Sequence, residues 1–265
     1  MPLFDNETRL ILEMLFDDAD KKTQTLYSQK LLADENSCTV NLTSLIHQNF
    51  PKSLPFHINT YSQKLTKSAE EAWGVDAIII LIDHEIDVGK IILFEAKTKR
   101  HNWDYIKPNS NPPVSHFSTQ LKRQKVPQSK GYVVWEQFYS GISKASSHPL
   151  NGGASSCVLH EIALHVKGDP TYASIWNDSD IKSCCTYQIS KNYPISMGGL
   201  VLLACECQIG TPFTSSEIIT ELAIMPHIEN ALLIERSSPE MNNDLSEALS
   251  KKFGNGDVYK RKFKN

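Results

Sequence analysis

The chain has 265 residues, 40% hydrophobic and 22% charged, with 27 Lys and Arg against 30 Asp and Glu and a formal net charge of −3. That composition fits an ordinary globular protein with room for a core and a site, and it excludes a disordered or fibrous chain. The longest aliphatic run, Ala77 to Ile82, falls far short of a membrane span, and "MPLFDNETRLILEMLF" lacks a basic region followed by an apolar block, so a cytoplasmic protein without a membrane partner is expected.

In chain order, residues 6 to 17 repeat apolar side chains at three and four behind a capping-box spacing and predict an amphipathic helix. "KTQTLYSQKLLA" predicts a second helix, "VNLTSLIHQNF" a third, and "TYSQKLTKSAEEAWG" a fourth that stops at Gly74. "AIIILI" and "KIILFEAK", joined by the polar turn "DHEIDVG", predict an antiparallel hairpin whose first strand is buried on both faces. Then come a helix opened near Ser115 ("PVSHFSTQLKRQKV") and a strand, "GYVVWEQFY". "SSCVLHEIALHV" and "GLVLLACECQI" are strand candidates, "TSSEIITELAIM" is a capped helix, and "ENALLIERS" is a closing strand. Residues 99 to 114 and 143 to 155, rich in Asn, Pro, Ser and Gly, are expected loops.

The expected architecture is α/β, a mixed central sheet flanked by helices in a single domain spanning 1–265. Within it lie a helical segment (1–55), a core (60–139), further strands and helices (155–240) and a basic tail (255–265).

Charge is unevenly spread. From Lys97 to Lys130 there are eight basic side chains (Lys97, Lys99, Arg100, Lys107, Lys122, Arg123, Lys125 and Lys130) against one acid, Asp104, and "YKRKFKN" closes the chain. Such asymmetry suits a nucleic-acid partner on one face, although a solvated basic surface explains it equally well.

The hairpin carries the chemistry. Side chains alternate along a strand, so Glu95 and Lys97 share a face, and antiparallel pairing through a turn near residue 86 brings Asp76 opposite them. Two carboxylates beside an ammonium suit Mg²⁺, which takes one or two carboxylates and keeps waters for exchange with phosphate oxygens. The ion lowers the pKa of a bound water and offsets charge at phosphorus. Lys97 could orient that water or stabilise the phosphorane, or, with its pKa lowered beside a cation, act as a base. An ordinary buried ion-pair group is the competing explanation.

Gly74-x-Asp76, eighteen intervening residues and Glu95-Ala96-Lys97 together resemble the active-site signature of the PD-(D/E)XK nuclease superfamily. The resemblance spans residues 60 to 139, with Val75 in place of the eponymous Pro. It implies a restriction-endonuclease-like core in which Asp76, Glu95 and a helical acid bind Mg²⁺, or Mn²⁺ in its stead, and Lys97 assists the attacking water. Glu71 is the favoured helical acid, with Glu70 as the alternative. Gln120 matches a Gln that some branches place in the next helix, with His116 and Arg123 on its face. Lys99, Arg100, His116, Lys122, Arg123 and Lys125 are candidate nucleic-acid contacts.

The implied function is hydrolysis of DNA phosphodiesters in restriction, defence against foreign DNA, or repair. A non-catalytic binding or scaffold module and an RNA-cleaving nuclease are the alternatives. A homodimer and a protein partner in a multi-subunit system are compatible with either.

Other motifs are weaker. Cys184-Cys185 and Cys205-x-Cys207 lack the two-to-four-residue gap of paired zinc thiolates, and the last two are expected on one face of a strand with Leu203. The six cysteines are expected to be reduced. "DHEIDVG" misplaces the glycine of a calcium loop. His160 and His165 lie five apart, not the four of a zincin pair, and ordinary structural histidines are expected.

Overall fold

The computed structural model describes residues 1–63, 72–99, 102–106, 113–140, 153–167, 175–236 and 244–253. Helices α1 (Asn6–Ser28) and α2 (Glu35–Asn49) precede strand β1 (Phe56–Ser62), the hairpin β2 (Ala77–Asp83) and β3 (Val88–Thr98), helix α3 (His116–Ser129) and strand β4 (Val133–Tyr139). The rest comprises β5 (Ser156–Leu159), α4 (His160–Lys167), α5 (Asp178–Ser190), α6 (Met197–Cys205), α7 (Ser215–Ile224), β6 (Asn230–Arg236) and α8 (Asp244–Lys252). The protein is therefore α/β, with a six-stranded sheet in the order β1-β6-β2-β3-β4-β5. The sheet is mixed: β6 runs parallel to β2 and β4 to β3, and the other neighbouring pairs are antiparallel.

Local chemistry sets the helix starts. The Asp5 carboxylate accepts the Thr8 N–H at 2.8 Å, Ser115 caps α3 through the Ser118 N–H at 2.9 Å, and Thr214 and Glu217 form a reciprocal box on α7. The sheet buries both faces. On one side Ile79 and Leu81 pack with Leu12 and Phe16 of α1, Leu42 and Ile46 of α2, and Leu200 of α6. On the other, Ile78, Ile80 and Leu93 pack with Ile218 and Leu222 of α7 and Leu249 of α8. Full burial of each aliphatic side chain contributes about 1.5–3 kcal/mol, and all seven residues of β2 are buried, as its unbroken Ile run predicts. Helix α6 lies against α1 at Gly198, where a Cβ would come within 2.1 Å of the Glu13 carbonyl oxygen and the glycine N–H bonds Asp17 at 2.6 Å.

Several sequence expectations are corrected. The first two predicted helices are one, α1, because buried Asp20, Thr23 and Gln24 continue its inner face with polar side chains. Residues 60 to 62 belong to a strand, which pairs with β6; the rest of the predicted fourth helix lies largely outside the described residues, as do Glu70 and Glu71. "SSCVLHEIALHV" is a four-residue strand followed by α4, and "GLVLLACECQI" forms most of α6, not a strand. As expected, "ENALLIERS" is a strand, β6, the last in chain order among the described residues, and it lies between β1 and β2 in the sheet. The basic tail lies outside the described residues. Among the described residues, no helix is long and apolar enough to cross a membrane.

Candidate active site

Asp76 immediately precedes β2. Its N–H donates to the Phe94 carbonyl at 3.0 Å and its carbonyl accepts from the Asn230 N–H at 3.2 Å, so β3 and β6 fix it from both sides. The Asp76 Oδ2 accepts the Ala96 N–H at 2.8 Å. Strand alternation does the rest: Ala96 faces Cys38 and Tyr139, and Glu95 and Lys97 project to the opposite face, towards α3. There the Lys97 Nζ and the Gln120 Nε2 both donate to Glu95 Oε1, and the ammonium lies 5.4 Å from the centre of the Phe117 ring. Glu95, Lys97 and Gln120 are 4%, 8% and 7% exposed, so their charges are largely withdrawn from water. The structure thus brings together Asp76, Glu95, Lys97 and Gln120.

Two further acids, not anticipated from the sequence, complete the electrostatics. Glu35 opens α2, and its Oε1 accepts from the Thr98 N–H at 3.2 Å and the Thr98 hydroxyl at 2.7 Å. Glu136 on β4 is in register with Glu95 and fully buried. A charged residue inside the apolar run "VVWEQFY" is the same kind of signal as Glu95. For Glu35 no local signal exists, because it lies in a helix distant in sequence.

Burial pushes the Asp76 carboxyl well above its ordinary range, and the Glu95 charge pushes it further. Burial also raises Glu95, helped by Glu136 and Glu35 and opposed by Lys97. For Lys97, burial would lower the pKa, but Glu95 and Asp76 more than offset it and hold the ammonium charged. In this arrangement the ammonium is a hydrogen-bond donor.

The donor set fits a hard divalent cation. Asp76, Glu95 and Glu136 act on the one ammonium, and among the described residues hydrogen bonds fill only Oδ2 of Asp76 and Oε1 of Glu95, leaving the other oxygen of each available. The buried Gln120 Oε1 also lacks a hydrogen-bond partner. Among the described residues no three His, Cys, Asp or Glu side chains form a metal-ligand group; Asp76 and Glu95 are the two carboxylates there that could hold such an ion, with water as further ligands.

The proposed nucleic-acid contacts divide. Lys122 and Lys125 are exposed on α3, and His116 and Arg123 flank the helix half-buried, while Gln120 turns inward. His116 stacks on exposed Tyr105, with centroids 4.5 Å apart and planes at 13°. Lys99 is engaged by Asp178, which also accepts the Trp103 indole N–H at 2.8 Å. Arg100 lies outside the described residues.

The remaining motifs are structural. Burial pushes the Cys185 and Cys205 thiols up to about 12 and raises Cys184 too, so these residues serve as small apolar groups. His165 stacks on Tyr187 at 4.4 Å, whereas His160 is buried behind the site.

No family model matches the chain, and no curated protein and no solved structure matches it. What the fold and site define is a mixed-sheet α/β protein with a lysine and two part-satisfied carboxylates at one end of a buried hairpin.

Proposed function

We propose that the chain is a divalent-metal-dependent nuclease of the PD-(D/E)XK kind that hydrolyses phosphodiester bonds in DNA. One observation carries this reading: Asp76 and Glu95 meet at one end of the hairpin, each with an oxygen left open, beside a lysine held charged. Asp76 and Glu95 would hold Mg²⁺ or Mn²⁺, with Glu35 adding negative potential from α2. When bound, such an ion supplies Lewis-acid stabilisation and a more acidic water.

The chain's own groups do the rest. Lys97, fixed by Glu95 and the Phe117 ring, presents N–H donors to a phosphate oxygen or to the attacking water. Gln120 holds the Glu95 oxygen that is not offered to the cation. The α3 lysines Lys122 and Lys125 attract the polyanion, and Tyr105 with His116 offers an exposed ring edge to it. Restriction or defence against foreign DNA is the favoured setting, with repair as the other, and RNA differs only in the surface that selects the polymer.

A binding module is the second reading. It is favoured by the Lys97 and Gln120 contacts, which satisfy one Glu95 oxygen without any metal.

Supercoiled plasmid incubated with Mg²⁺, Mn²⁺ or EDTA tests the proposal, using wild type beside folded Lys97→Ala and Asp76→Ala. Metal-dependent cleavage lost in both variants supports it. Wild-type activity that persists in them assigns cleavage elsewhere, and an inert wild type that binds DNA favours the module.

A further inference from the structure

Helix α3 touches the site twice, four residues apart. Gln120 grips Glu95 on β3, and one turn later Gln124 donates to the Gly74 carbonyl oxygen at 2.6 Å, two residues before Asp76. Residues i and i+4 lie on one helical face, so a single rigid element holds both carboxylate-bearing segments.

The contact is close because Gly74 has φ +66° and no side chain: a Cβ there would lie 3.1 Å from the Gln120 Cβ and 3.2 Å from its Cα. Gln124 is itself tied down. Its Nε2 also reaches Glu136 Oε2 at 3.4 Å, and its Oε1 pairs with the His160 Nδ1 at 3.0 Å. All three side chains are 0–1% exposed. The hydrophobic core does not require such a group. Leu or Met would fill the same volume, and Glu136 Oε1 and His160 Nε2 are left without hydrogen bonds, a cost of about 1–3 kcal/mol for each such atom.

The geometry points to Gln124 as a positioning residue for the proposed metal site: through the Gly74 carbonyl it sets Asp76 against Glu95, with His160 and Glu136 fixing its amide. This rests on the metal-site reading. Partners that orient a ligand usually change metal affinity or activity by about 10–100-fold when removed, and displacement of a reacting group by ~1 Å costs rate on the order of 100-fold.

The test uses the full chain and Mn²⁺ as the probe. Binding is followed by electron paramagnetic resonance, alongside plasmid cleavage and thermal unfolding, in wild type and Gln124→Met. The expected result is Mn²⁺ affinity about 10-fold weaker and kcat lower by at least that factor, with KM for DNA unchanged. If Gln124→Met does not fold, His160→Leu removes only the group that fixes the amide; it should weaken Mn²⁺ binding in the same direction, with His160→Gln restoring it. Wild-type Mn²⁺ affinity in the folded variant, or a lower Tm with no change in affinity, overturns the proposal. A wild type that binds Mn²⁺ but cleaves nothing counts against the nuclease and leaves the Mn²⁺ comparison to decide the clamp. A wild type that binds no Mn²⁺ overturns both.

Discussion

Asp20 offers the most direct quantitative test of how this core handles charge. It is fully buried on α1, with Oδ1 accepting from the Gln137 amide and Oδ2 from the Ser155 N–H, each at 2.9 Å. Burial raises its carboxyl from 3.8 to about 6, against the lowering effect of the Ser155 and Gln137 hydrogen bonds. A shift of that size corresponds to about 3 kcal/mol, at about 1.4 kcal/mol per pH unit. Because the folded-state pKa lies above the unfolded one, the folded chain binds more protons between them. The stabilising contribution is full below pH ~4 and is lost as pH rises through ~6. Urea unfolding of wild type and Asp20→Asn across pH 3.5–7.5 isolates it. Exchanging one acceptor for an amide adds an offset that does not vary with pH, so the wild-type-minus-variant difference should fall by about 3 kcal/mol from acid to neutral, with equal m-values. In thermal unfolding that is about 6–12 °C. A difference that is flat, or that rises with pH, refutes the reasoning.

Other expectations follow from the site and the packing. Asp76→Asn should leave the metal-free protein at least as stable as wild type at neutral pH, since the raised carboxyl makes ionisation costly, yet it should abolish the thermal shift caused by Mg²⁺. A persisting shift would remove Asp76 from the metal site. Because Asp76 and Glu95 both bind protons more readily than usual, protons compete with the cation. Mn²⁺ affinity, read by calorimetry, should therefore rise with pH through their raised range, and a flat profile would contradict this. Glu35→Gln should reduce kcat by about 10-fold with little loss of stability, measured by plasmid cleavage and unfolding together. Gly198→Ala should destabilise by about 1–3 kcal/mol in urea, because its methyl meets backbone of α1 that cannot rotate away.

The parts legible in the sequence were those written locally. The hairpin is two Ile-rich runs and a short turn, and its observed register, Asp83 with Val88 through Ala77 with Phe94, continues to Asp76 opposite Glu95. Ser115 and Thr214 marked their helices because caps act within three residues. What failed depended on distant partners. "FHINTYS" becomes a strand by pairing with β6, far along the chain, and its end merged with a helix-like sequence. "GLVLLAC" is apolar throughout, so no period separates strand from helix; contact with α1 decides it. Glu35 had no motif to announce it, and only the fold brings α2 to Thr98.

The acids withdrawn into this fold differ in how fully their oxygens are satisfied. Asp83, like Asp20, is closed on both oxygens: Oδ2 accepts the Phe4 N–H at 3.2 Å, and Oδ1 takes the Glu85 N–H at 3.1 Å with Arg236 alongside. Each has a hydrogen-bond donor on both carboxylate oxygens. Glu95 is buried like them and Asp76 is half-buried, yet each is filled on one side only, and Glu35 and Glu136 add negative charge beside them. A protein needing only stability would gain by replacing such a group with apolar side chains. Retaining such a cluster of acids beside one ammonium is intelligible if a cation and a phosphate enter together, the first relieving the repulsion and the second meeting Lys97.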